Sequence, residues 1–282
     1  MEPEVQQKCL ACESTNSIPI NLKLGYEGRK CQNCDLVWAA NVPNTKQLYD
    51  SAYDNSSEGF IWQAFLNVHD RIKSTQQVSL NWYENYFLKN IKPFGSGNIL
   101  EIGCGIGRFL FGCRNKGWQI HGMDISSKAV ELSKELLPDG DFQVGPVEQS
   151  KWPEESFEAI TSWEVIEHVS DPFAFVSKVK GLLLNDGIFA FSTPDWDSWA
   201  IRRHPRKNYW PPYHIYFFCE KSIKALLGRA GLKVIKIKRN RFPWSETCWP
   251  RWLIFLLLPW LVWHGVILNH GGGRIVVLAK KV

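Results

Sequence analysis

Short apolar runs alternate with amphipathic stretches through the middle of the chain. Asn98 to Ile102, Ile120 to Asp124, Phe142 to Val147, Ala159 to Trp163 and Ile188 to Ser192 concentrate branched and aromatic residues and read as strands. Arg108 to Lys116, Ser127 to Leu137 and Pro172 to Leu184 space their apolar residues at helical intervals between them. Such alternation predicts an α/β fold with a parallel, doubly wound sheet. Further on, Lys221 to Ala230 reads as a helix stopped by Gly231, Leu232 to Lys238 as a strand, and Arg274 to Lys281 as a last strand. Upstream, Thr45 to Lys92 mixes Phe60, Trp62, Phe65, Leu66 and Val68 with polar residues in a helical pattern, which Pro93 and Gly95 break. No internal repeat or low-complexity tract interrupts this order.

Composition sets the scale. The 282 residues, 45% hydrophobic and 22% charged, provide for one α/β domain with a real core plus a small module. The net charge of +5 permits an anionic partner without requiring one. Met1 to Lys8 is polar and acidic, with no apolar run of a signal peptide, so the thiols are expected in a reducing cytoplasm. There, Cys9-Leu-Ala-Cys12 and Cys31-Gln-Asn-Cys34 favour a metal site over disulfides. Two tight CxxC turns can complete a tetrahedral Zn2+ site whose four thiolates leave no open position, which makes its role structural.

Ile99-Leu100-Glu101-Ile102-Gly103-Cys104-Gly105-Ile106-Gly107 is a strand that runs into a glycine-spaced loop opening a helix. Glycines let backbone come close to a ligand where a Cβ would collide. Asp124 closes the next strand, where a carboxylate can accept hydrogen bonds from ribose hydroxyls; the plainer alternative is an ordinary turn with a capping Asp. Glu101, just before the loop, suits a cationic ligand and would repel a pyrophosphate. On these residues the chain resembles the class I S-adenosylmethionine-dependent methyltransferases, over roughly Asn98 to Lys281. The resemblance implies their Rossmann-like seven-stranded sheet. It also implies an S-adenosylmethionine site built from Glu101, Gly103, Cys104, Gly105, Gly107, Asp124, Ile125, Val147 and Trp163. Pro146 stands where many relatives carry an Asp that contacts adenine.

After the fourth strand comes Trp163-Glu164-Val165-Ile166-Glu167-His168. A helical turn here would put Glu164, Glu167 and His168 on one face. The run is similar to that of ubiquinone-pathway O-methyltransferases and of small-RNA 2′-O-methyltransferases. In the latter, an ExxEH cluster and a later His, matched here by His214, hold a divalent metal. Glu164, Glu167, His168 and His214 are therefore the catalytic candidates, either as ligands of Mg2+ or a similar ion, or with one His as general base. The two cysteine knuckles joined to such a domain resemble a bacterial group found with glycan and polysaccharide assembly enzymes, which implies a small-molecule or glycan acceptor.

One segment stands apart. Trp249 to Leu268 is apolar nearly throughout, with Pro259 and His264 as interruptions, and four of the chain's 14 Trp lie in it. It falls between the last two expected strands, so both ends return to one sheet and a single membrane crossing does not fit. The remaining readings are a lid, a homodimer interface, or peripheral contact at the inner face of a membrane, where Arg239, Arg241 and Arg251 would meet anionic headgroups. The sequence thus divides into a zinc ribbon (1–44), a helical lead-in over the cofactor site (45–95) and a methyltransferase domain (96–282) with an apolar insertion at 243–271. Two rivals to small-molecule O-methylation are RNA methylation, against which the lack of any RNA-binding motif counts, and a catalytically idle scaffold, against which the intact glycine loop counts.

Overall fold

The computed structural model describes residues 8–40, 59–91, 97–202, 210–239 and 273–282. Segment 249–268 and the start of the helical lead-in lie outside the described residues. Two sheets organise the rest.

The larger sheet has the order β10-β11-β8-β7-β4-β5-β6. Its strands are β4 (Asn98–Ile102), β5 (Gln119–Asp124), β6 (Asp141–Val144), β7 (Phe157–Trp163), β8 (Leu183–Pro194), β10 (Leu232–Arg239) and β11 (Arg274–Lys281). Strands β4 to β8 pair in parallel, whereas β11 is antiparallel to both β8 and β10. Strand order reverses at β4, which has β5 on one side and β7 on the other, and ligands of open α/β sheets bind at the carboxyl ends of strands at such a point. The expected fifth strand proves longer, because Leu183 to Pro194 is paired along one edge by β7 and along the other by β11. The third ends early. Gly145, at φ +130°, turns the chain so that its N–H donates to Asp124 O at 2.9 Å.

Helices α1 (Gly59–Thr75), α2 (Trp82–Asn90), α3 (Arg108–Arg114), α4 (Ser127–Leu136), α5 (Pro172–Leu182), α6 (Trp199–Arg202) and α7 (Glu220–Arg229) complete the domain. Their starts follow local chemistry. Asp171 caps α5 by accepting from Phe173 N at 2.8 Å and Ala174 N at 2.9 Å, with Pro172 in the first turn. Ser126 caps α4, and Gly231 at φ +78° ends α7. Among the described residues no helix is long and apolar enough to cross a membrane.

The smaller sheet, β1-β2-β3-β9, joins β1 (Ser17–Asn21), β2 (Glu27–Cys31) and β3 (Val37–Ala39) to β9 (Tyr216–Phe217). Three strands come from the cysteine-bearing module and the fourth from the large domain. One continuous core includes Cys9, Leu36 and Trp38 of the module together with Phe189, Phe217 and Leu226.

Candidate functional site

The loop after β4 is held by its own backbone. Gly103 N and Cys104 N both donate to Met123 O, at 2.7 and 3.1 Å, which ties the loop to the end of β5. Asp124 completes the tie: Oδ2 accepts from Gly105 N and Oδ1 from Ser126 N, each at 2.9 Å. Both the capping and the ligand-binding alternatives are thus open to one side chain, since a carboxylate has about four acceptor positions. Gly103, Gly105 and Gly107 all have positive φ. A Cβ on Gly103 would meet Val165 Cγ2 at 2.5 Å, whereas one on Gly105 would meet nothing within 4 Å. Gly103 is therefore required by packing, and Gly105 borders open space.

Glu101 is 4% exposed, and its Oε2 has no hydrogen-bond partner. Burial, with Glu84 and Asp124 nearby, pushes its carboxyl well above the usual range, although Arg108 acts in the other direction. A cationic ligand beside the loop would relieve this. Ile125, which follows Asp124, is 46% exposed, while Val147 is buried. Trp163 packs among Tyr83, Phe87 and Phe109 at centroid distances of 5.2, 6.0 and 5.5 Å, and its Nε1 is also buried without a hydrogen bond. An unsatisfied carboxylate oxygen, an open glycine and a second-strand carboxylate fit S-adenosylmethionine.

Sequence reasoning expected a helical lead-in here but missed the ion pair that fastens it to α3. Glu84 of α2 forms an ion pair with Arg108, the first residue of α3, and Glu84 Oε2 accepts from Asn81 N at 2.6 Å. The Asn81-x-x-Glu84 spacing, a helix-start signature, could have located α2.

Beyond β7 the expected helical turn does not form. Glu164 takes φ +56° and its N–H donates to Ser192 O, so only a short turn follows, closed by His168 N to Val165 O. Consequently Glu164 leaves the cluster. Its carboxylate accepts from Ser192 Oγ at 2.6 Å and from Arg274 Nε at 2.7 Å. Glu167, His168 and His214 do come together, with candidate ligand atoms within 4.8 Å of one another. The two imidazoles pack edge to face with centroids 4.6 Å apart. His168 Nδ1–H donates to Tyr213 O at 2.8 Å, leaving Nε2 as the basic nitrogen, 4.0 Å from Glu167 Oε1. Burial lowers the His168 pKa below its ordinary value. Glu167 is buried, accepts from Thr193 Oγ1 at 3.0 Å through Oε2, and is pushed well up by burial and by Glu164. Arg239, one of the expected headgroup contacts, is spent inside the protein on Asp195 at 2.9 Å and on Asp197 and Glu220 at 3.4 Å. Arg241 and Arg251 lie outside the described residues.

The four N-terminal cysteines also converge. Cys9 Sγ lies 3.5 Å from Cys34 Sγ, and Cys12 Sγ 3.6 Å from Cys31 Sγ. Sulfurs bound tetrahedrally to zinc at about 2.3 Å would be roughly 3.8 Å apart, so the donor set and spacing fit that ion. The hydrogen bond from Cys34 already holds the Cys9 thiol down at about 5.

A family profile described as a methyltransferase domain matches residues 72–237, more than half of the chain. The chain belongs to this methyltransferase family. The chain is 29% identical over 104 residues to a ubiquinone biosynthesis O-methyltransferase of Actinobacillus pleuropneumoniae, covering 34% of this chain and 44% of that protein. The chain thus spans less than half the length of that curated relative. An S-adenosylmethionine-dependent methyltransferase from Mesorhizobium loti superposes with a TM-score of 0.51 at 20% identity, covering 71% of this chain and 99% of the other. A Haloferax volcanii complex of a methyltransferase activator with a putative methyltransferase gives 0.59 at 15% identity, over 86% and 99%. At such identities the likeness is one of fold. Family, relatives and fold agree on a class I S-adenosylmethionine-dependent methyltransferase.

Proposed function

We propose that this protein O-methylates a sugar or lipid-linked small-molecule acceptor, with His168 as general base. The observation that carries the reading is the hydrogen bond from His168 Nδ1–H to Tyr213 O. It selects the tautomer whose Nε2 lone pair can take a hydroxyl proton, and burial keeps the ring neutral. Glu101, Gly103, Cys104, Gly105, Gly107, Asp124, Ile125, Val147 and Trp163 would hold S-adenosylmethionine. That cofactor supplies a methyl group already activated on a sulfonium, so the protein's main contribution is alignment of the acceptor. Glu101 offers the cation a buried carboxylate, Asp124 keeps acceptor capacity for hydroxyls, and α2 covers the site against water through Tyr83 and the Glu84–Arg108 pair. The name of the Actinobacillus relative favours oxygen as the methylated atom.

A second reading has its own observation. Glu167 Oε1 is buried without a hydrogen bond and sits within ligand range of two imidazoles, which suits a divalent ion such as Mg2+ at Glu167, His168 and His214. The four-cysteine cluster would hold one Zn2+, and atomic absorption should count one zinc per chain.

The test uses methyl-labelled S-adenosylmethionine with a panel of demethylated quinols, sugars and lipid-linked sugars, followed by mass spectrometry of the product. Label on a hydroxyl oxygen is expected, with His168→Ala lowering kcat by about 10²–10⁴-fold while cofactor binding stays within twofold. Label on nitrogen or carbon, or lost cofactor binding in that variant, would refute the assignment.

A further inference from the structure

Strand β3 pairs with β2 inside the cysteine module, and its outer edge has a partner from the other end of the chain. Val37 and Trp38 are in register with Phe217 and Tyr216 of β9, and Ala39 N donates to Ile215 O at 2.9 Å. From its other side the same short segment is fastened to the Glu/His cluster: Ile215 N and Tyr216 N donate to Glu167 O at 2.9 and 3.2 Å, and Tyr216 Oη donates to Ser170 O at 3.0 Å. His214 immediately precedes this segment, and Tyr213 supplies the carbonyl that orients His168. The cysteine cluster adjoins the start of the template, since Cys31 N donates to Leu36 O at 2.8 Å and Cys219 Sγ contacts Cys34 O at 3.7 Å. Trp38, Phe217 and Phe218 are all at most 2% exposed, so the junction is packed.

We propose that the cysteine module is a positioning element of the active site. The edge of β3 is a template that holds residues 213–217, and with them His214, in place against His168. Edge-strand pairing suits this task, because backbone hydrogen bonds fix register while leaving the side chains of the added strand free for chemistry. A separate set of contacts docks the module elsewhere: Arg229 reaches Leu10 O at 2.6 Å and Glu13 at 2.7 Å, and Lys221 reaches Asp35 at 3.1 Å. The two sets can therefore be broken independently. The inference rests on reading His168 and His214 as working groups, and the readouts below distinguish a failure of that reading from a failure of the positioning.

Ala39→Pro removes the N–H that bonds Ile215 O and leaves the cysteines untouched. Arg229→Met breaks the docking contacts to Leu10 and Glu13 and leaves β3–β9 intact. Amide exchange at Ile215 and Tyr216, the ring-to-ring NOE between His168 and His214, and kcat and KM for S-adenosylmethionine are measured in each. Ala39→Pro should raise exchange at least tenfold, weaken the NOE and lower kcat about tenfold with KM within twofold; Arg229→Met should change none of these. If Ala39→Pro does not fold, Cys12→Ser takes its place with the same expectations. Unchanged exchange and NOE in the template variant, or equal losses in Arg229→Met, would overturn the proposal. A lost NOE with unchanged kcat would uphold positioning and sink the catalytic reading of the histidines.

Discussion

Replacing Gly105 by Ala tests whether the glycine loop is a ligand cradle or only a turn. Gly105 has φ +54°, and a Cβ there would meet no heavy atom within 4 Å. The cost to the folded protein is then backbone strain alone, on the order of 1–2 kcal/mol for an L residue in the left-handed region. The bond from Gly105 N to Asp124 Oδ2 survives the change. If that open space holds the cofactor as proposed, a methyl group pointing into it adds an overpacking cost of about 1–3 kcal/mol to binding. At about 1.4 kcal/mol per tenfold, that weakens S-adenosylmethionine by up to about 100-fold. Gly103→Ala is the contrasting variant, because its Cβ would press on Val165 Cγ2 at 2.5 Å. Thermal melting should therefore fall further for Gly103→Ala than for Gly105→Ala, while calorimetric titration should show Gly105→Ala binding the cofactor much more weakly than the parent. Parent-like binding by Gly105→Ala would refute the cradle.

Asp124→Ala leaves the N–H groups of Gly105 and Ser126 without their acceptor, so urea unfolding should show a loss of about 2–4 kcal/mol together with weaker cofactor binding. Arg108→Met strands Glu84, whose side chain is 1% exposed, and a loss of about 3–5 kcal/mol is expected by the same method. Because burial lowers the His168 pKa, the neutral base persists into more acid solution, and log(kcat/KM) should stay level through the ordinary imidazole value of about 6.5 and bend only below it. A bend above pH 7 would contradict that role.

The order of the sheet was legible because its strands carry concentrated apolar runs and its loops carry residues with one steric meaning. Asn98–Ile102 and Arg274–Lys281 have the same bounds in sequence and structure, and Asp171-Pro172 marks a helix start wherever it leads an apolar period. Local pattern says less about what opposes what. The helical turn expected at Glu164 gave way because Ser192 and Arg274, distant in sequence, take up its backbone and carboxylate. Glu84 and Arg108 are 24 residues apart, and no local pattern announces that they pair across α2 and α3. The pairing of β3 with β9 was equally hidden, since strands of three and two residues have no period to detect.

Methyl transfer by this chain requires the space beside Gly105 and Glu101 to accept a sulfonium nucleoside. Titration calorimetry of the purified chain with S-adenosylmethionine, and separately with NAD, measures this directly. Saturable one-to-one binding of S-adenosylmethionine with no heat from NAD is the predicted result. Binding of NAD, or no binding of S-adenosylmethionine by folded protein, would contradict it.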